Sequence, residues 1–214
     1  MTRSRTRGLS AAAACLALLF GGNATQAQPD CPLQTDVAQA DEMRFTVRER
    51  PDGPPVLLAE GLIVSGTIPR LQAALDHFQG REIWLNSPGG YVGADRDAGR
   101  LIRSRGLRTR VPAGSVCRGA CNFMFMGGTE RIVEDGGFFI ANMFRHSGDR
   151  SNYVDIGGAS QMLATVDYDF LIRMGVSPRL LSDIMYREPA GGGRCLTRAE
   201  LDEYRVTTRP SRRN

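Results

Sequence analysis

The chain has 214 residues, with 27 Lys+Arg against 23 Asp+Glu and a formal charge of +4. Every basic residue is arginine, and no basic patch is interleaved with aromatics, so the basic isoelectric point is no argument for nucleic acid. The length suits one domain with a sizeable core.

The first 27 residues read as a secretory signal rather than fold. Arg3, Arg5 and Arg7 form a basic start, Leu9 to Phe20 an apolar run, and Ala24-Thr25-Gln26-Ala27 a small-residue cleavage motif. The run is too short to span a membrane. Cleavage after Ala27 removes three arginines and no acid, leaving a charge of about +1. The remainder divides into one domain over 28–206 and a loose tail over 207–214. An exported chain meets an oxidising compartment, where disulfides form. Cys31, Cys117, Cys121 and Cys195 remain, and four cysteines allow three pairings. Cys31 and Cys195, at the two ends of the domain, suit a staple. Cys117 and Cys121, one helical turn apart, read as small buried residues near a tight turn. A zinc site would need better-spaced ligands and more histidine than His77 and His146. No metal and no cofactor is expected.

Met43 to Val47 alternates like a strand, Pro51-Asp52-Gly53-Pro54 is turn chemistry, and Val56 to Ala59 is the partner strand of an edge hairpin. Gly61 to Ser65 reads as another short strand. Thr67 reads as the cap of a helix carrying Ile68, Leu71, Ala74, Leu75 and Phe78 at helical spacing. Ile83-Trp84-Leu85 is a buried strand that delivers the Gly-rich turn Asn86-Ser87-Pro88-Gly89-Gly90, where backbone N–H groups can face a ligand. A helix over Gly93 to Ser104 and a strand over Leu107 to Val111 follow. A helical run from Gly119 to Met126 then offers N–H donors at its start. Arg131 to Glu134 and Phe138 to Ala141 are strands, and Phe144 to Tyr153 is a polar loop. Ile156 to Met174 is a long helix, Ser177-Pro178 opens another, and Thr197 to Glu200 is a capping box. This alternation predicts an α/β fold: a largely parallel sheet with covering helices.

The quoted centre, Leu85-Asn86-Ser87-Pro88-Gly89-Gly90 followed by Val111-Pro112-Ala113-Gly114 and Cys117-Arg118-Gly119-Ala120-Cys121, resembles the Clp-protease-like branch of the Clp/crotonase superfamily, especially its exported bacterial members. Met174 to Pro178 and Leu196-Thr197 with Glu200-Leu201 extend the resemblance, which covers roughly 61–204. It implies a Clp/crotonase-like fold and a peptidase site. In such peptidases a serine stands at the helix start, a histidine about 23 residues on, and an acid completes the triad. Exported relatives read Cys-x-Ser-Ala-Cys, so the serine position here is Gly119, and the histidine position is Asn142. The acid is unassigned, with Asp183 and Glu188 in the neighbourhood. The implied oxyanion donors are Gly89 or Gly90 of the turn and Ala120. The Ser-Lys variant of the fold is excluded, because the chain has no lysine.

Glycine has no side chain to attack a carbonyl, and an asparagine amide takes up no proton near neutral pH. The reading is therefore a catalytically inactive, exported, periplasmic protein that binds a peptide or protein partner. The resemblance also implies homo-oligomers, and nothing implies nucleic acid or a membrane span after cleavage. The alternative is an active hydrolase with an unaligned pair, Ser115 with His146; a crotonase-like acyl-CoA enzyme is a third reading that the export signal argues against. Each candidate also has a structural reading. Gly89, Gly90 and Ala120 could persist because the fold needs the turn. Ser115 reads as a turn residue, Cys121 as structural, His146 as a loop histidine, His77 as surface, Arg118 as a solvated arginine, and Phe123 to Met126 as core.

Overall fold

The computed structural model describes residues 31–32, 41–142, 153–188 and 192–209, and within them every side chain except those of Val92, Ala94 and residues 153–163. The expected signal peptide and His146 lie outside the described residues. The strands are β1 (Arg44–Arg50), β2 (Gly53–Glu60), β3 (Glu82–Asn86), β4 (Arg108–Val111), β5 (Val116–Arg118), β6 (Arg131–Val133), β7 (Phe138–Ala141) and β8 (Arg194–Cys195). The helices are α1 (Thr67–Asp76), α2 (Val92–Ser104), α3 (Ala120–Met126), α4 (Tyr153–Met174) and α5 (Arg198–Glu203).

Five strands form one sheet in the order β1-β2-β3-β4-β6, and three form a second in the order β5-β7-β8. In the larger sheet only the β1–β2 hairpin is antiparallel. In the smaller, β5 and β7 run parallel and β8 antiparallel to β7. A single bridge, Ser87 to Cys117, joins the two sheets. The fold is α/β with a largely parallel sheet and covering helices, as expected. Its logic is that of crossover connections: a parallel pair cannot be closed by a tight turn, so helices return the chain.

Alternation sets the faces of β3. Ile83 and Leu85 are fully buried on the core side. Trp84 lies on the opposite face beneath Arg48 and Arg50, whose guanidinium carbons stand 5.8 and 5.9 Å from the ring centre. Helices α2 and α3 touch backbone to backbone. A Cβ added at Gly127 would fall 2.2 Å from the Gly99 carbonyl oxygen, so only glycine fits there. That approach places the C-terminal end of α3 against the second half of α2.

The far end of α3 is covered by two arginines. Arg103 donates from Nε to the Gly127 carbonyl at 2.8 Å and from Nη2 to Gly128 at 2.9 Å. Arg131, 4% exposed, donates to the carbonyls of Val206 (2.7 Å), Gly128 (3.1 Å), Met174 (3.0 Å) and Arg205 (3.0 Å). Burial, with Arg103 and Arg205 nearby, lowers the Arg131 pKa to about 10. The last turns of α3 and α4 and the segment after α5 thus converge on one guanidinium.

Several local expectations change. Gly61 to Ser65 is not a strand but two isolated bridges, Leu62 to Glu42 and Ile63 to Gly90. Thr67 does not cap α1 forward; its Oγ1 accepts from the Val64 N–H at 2.9 Å, and Gly66 is the capping residue. The helix expected behind Ser177 is a π-helical turn, Leu181–Met185. The bond from Tyr186 N–H to the Leu181 carbonyl (2.8 Å) widens it, and Leu181, Ile184 and Met185 are all buried. The capping box at Thr197 and Glu200 is present as expected. The chain stays attached to β6 as far as Thr208, whose Oγ1 accepts from the Arg131 N–H at 2.8 Å.

Candidate functional site

The turn after β3 is held by its own serine. Ser87 is buried; its hydroxyl donates to the Gly61 carbonyl at 2.7 Å and accepts the Gly89 N–H at 3.2 Å. Gly89 and Gly90 have φ of +99° and +138°. A Cβ at Gly89 would meet the Arg118 carbonyl oxygen at 2.6 Å, and one at Gly90 the Ile63 carbonyl oxygen at 2.0 Å. Both positions demand glycine. The turn is stitched down by Ile63 N–H to the Gly89 carbonyl and Tyr91 N–H to the Ile63 carbonyl, each 2.8 Å. Since the Gly89 N–H is taken by Ser87, the Gly90 N–H is the one without a partner among the described residues.

The second wall is the strand-to-helix reversal from β5 into α3. Gly119 sits at the bend with φ 55° and ψ −117°, a conformation that strains any residue with a Cβ. The Ala120 and Cys121 N–H groups follow it with no partner among the described residues. Helix α3 has seven residues, so its dipole adds little, and the donors themselves are what the bend offers.

The bend is closed by a covalent bond. Cys117 and Cys121, expected as small buried residues with their pairing left open, form a disulfide with Cα atoms 5.2 Å apart. The reversal at Gly119 brings the two backbones within bridging range, which simple helical spacing does not reveal. Cys31 pairs with Cys195, Cα atoms 5.8 Å apart, as their placement suited.

Position 119 faces position 142. A Cβ built on Gly119 lies 3.4 Å from Asn142 Oδ1 and 4.0 Å from its Nδ2. Asn142 follows β7 and is 8% exposed. The chain entering β8 covers it: a Cβ at Gly193 would lie 3.5 Å from the Asn142 Cβ. Next to this, Arg118 donates to the Gly192 carbonyl. Arg118 is therefore not the solvated arginine expected; it is 8% exposed, and burial lowers its pKa. Asn122, on the first turn of α3, ties the helix to β7 by donating from Nδ2 to the Ile140 carbonyl at 2.9 Å.

The remaining candidates sit elsewhere. Ser115 closes a turn with Gly114 at φ +75°, its N–H donating to the Pro112 carbonyl at 3.1 Å. Asp183 pairs with Arg179 (2.9 Å) and accepts from Ser182 (3.0 Å). Glu188 pairs with Arg194 at 3.4 Å. His77 is exposed at the end of α1. Among the described residues no group of three or more His, Cys, Asp or Glu is placed to hold a metal ion.

A cluster that pattern reading missed lies behind the site. Asp95 and Arg96 on α2, Asp167 on α4 and Tyr186 after the π-helical turn join in one buried network. An acid in the first turn of a helix reads as a dipole partner on the surface, so nothing local signals its burial.

No family model and no curated protein matches the chain. Solved structures do. One is described as 1510-N membrane-bound stomatin-specific protease, in a serine-to-alanine mutant form. It superposes with a TM-score of 0.51 at 17% identity, over 71% of this chain and 75% of its own. At that identity the likeness establishes the fold alone: this chain shares the α/β architecture of that protease.

Proposed function

We propose that this chain is an exported Clp-protease-like protein whose peptidase site no longer cleaves, and which uses that site to bind a peptide or a protein partner. One observation carries the reading: the side-chain direction of Gly119 points at Asn142, 3.4 Å from a built Cβ to Oδ1. That is the relation a nucleophile and its base need, occupied by a residue with no side chain and a residue that takes up no proton. Losing a nucleophile and its base together removes about six powers of ten in turnover. The backbone donors at Gly90 and Ala120 keep the means to hold a carbonyl or carboxylate oxygen. Export is supported by two disulfides among the described residues, since such bonds persist in oxidising compartments. No helix among the described residues is long and apolar enough to cross a membrane.

The test uses purified mature chain. Casein and activated peptides are expected to stay intact, and a fluorophosphonate probe to leave the protein unlabelled. The variant Gly119→Ser with Asn142→His is expected to gain labelling. Labelled unstructured peptides are expected to bind saturably by fluorescence anisotropy. Robust turnover by the unmodified chain, abolished by Ser115→Ala, would overturn the reading and identify the nucleophile.

A further inference from the structure

Among the described residues, the buried network around Arg96 holds two carboxyl groups and one guanidinium. Asp95 is fully buried and Arg96 is 6% exposed. Arg96 donates from Nη1 to Asp95 Oδ1 at 3.2 Å and from Nε to Asp167 Oδ1 at 2.6 Å. Asp167 is also fully buried, and Tyr186 donates its hydroxyl to Asp167 Oδ2 at 3.3 Å. The second oxygen of Asp95 has no hydrogen-bond partner. Among the described residues the groups facing Asp95 are few. Its own helix supplies Arg96, while Asp97 and Arg100 pair with each other at 2.8 Å on the exposed side. Helix α3 supplies the Phe123 ring, 5.0 Å from the Arg96 guanidinium carbon. Helix α4 supplies Asp167, and the segment after the π-helical turn supplies Tyr186. Two carboxylates on one guanidinium leave a buried negative charge unless one of them holds a proton.

We propose that Asp95, Arg96, Asp167 and Tyr186 form a proton-operated latch between α2 and α4, closed when the carboxyl pair holds one proton and loosened when that proton leaves. The proton resides on Asp95. Burial outweighs the attraction of Arg96 and pushes the Asp95 carboxyl up to about 7. Asp167 has the closer guanidinium contact and the Tyr186 hydroxyl, although burial raises it too. A carboxyl raised in the closed state favours closure when protonated. The latch is fully closed below the ordinary carboxylate range near 4. It weakens as pH rises through that value toward about 7, and it is open to a constant extent above that. The latch bears on the site by chain connection. Asp95 lies five residues after Gly90, on the helix that follows the Gly-rich turn.

Amide exchange in residues 164–174 of the full mature chain, corrected for intrinsic rate and followed from pH 5 to 8, tests this. The opening constant of the unmodified protein, divided by that of Asp95→Asn, is expected to rise by up to about tenfold per pH unit and to level off above pH 7. Asp167→Asn also leaves a single acid on Arg96 and is expected to remove the slope. If Asp95→Asn keeps the full slope, or the unmodified chain shows none, the latch does not exist. Should either variant fail to fold, carbon NMR of the Asp95 carboxyl in the unmodified chain decides. Titration near 7 supports the latch, and titration near 4 overturns it.

Discussion

The two ends of helix α3 are built in opposite ways. At its last turn, Arg103 and Arg131 reach the carbonyls of Gly127 and Gly128, so the groups a helix leaves over are covered by charged donors. At its first turn, the Ala120 and Cys121 N–H groups have no partner among the described residues, no side chain caps the helix, and a five-residue disulfide loop holds the bend. The sealed end serves stability. The open end is held in shape by other means and left with donors to spare, as expected where a ligand completes the hydrogen bonding.

This contrast can be broken in four places. Arg131→Met should cost most, because four carbonyls, that of Gly128 at the sealed end among them, lose a buried charged donor. A loss of roughly 3 kcal/mol or more corresponds to a fall of about 10 °C in Tm for a domain of this size, read by calorimetry. Gly127→Ala forces a Cβ onto the Gly99 backbone and should cost about 2–3 kcal/mol, measured by urea unfolding. Replacing Cys117 and Cys121 together by serine removes a short loop constraint and should cost about 2 kcal/mol under the same assay. Gly119→Ala should cost least, about 1 kcal/mol, since its Cβ meets only Asn142 at ordinary contact distance. If Gly119→Ala proves costlier than Gly127→Ala, the open end is a packed structural element and the comparison fails.

Much of this was legible in the chain itself, and the failures share a cause. Ile83 and Leu85, the glycines at 89 and 90, and the Thr197–Glu200 box follow local rules of alternation, backbone freedom and capping, and each stands where those rules put it. Counting along the resemblance from Gly119 to Asn142 picked out two positions that face each other in space. What escaped depends on partners far away in sequence. Arg131 and Arg118 look like surface arginines until the carbonyls of Met174, Val206 and Gly192 arrive. Asp95 looks like a helix-start acid until Asp167 is laid against Arg96. The Cys117–Cys121 bond depends on a reversal at Gly119 that helical spacing does not encode. The π-helical turn depends on a core that can receive Leu181, Ile184 and Met185 together.

The bond between Cys31 and Cys195 spans 164 positions, which makes most of the chain a closed covalent loop. A protease cutting anywhere between those two cysteines would separate no fragment: the pieces would stay linked and would run apart on a gel only after reduction. The knot of that loop lies on β8, the strand that follows the Gly192–Gly193 cover over Asn142. A pull on the N-terminal end is therefore passed through that bond to β8, the strand that follows the cover over Asn142.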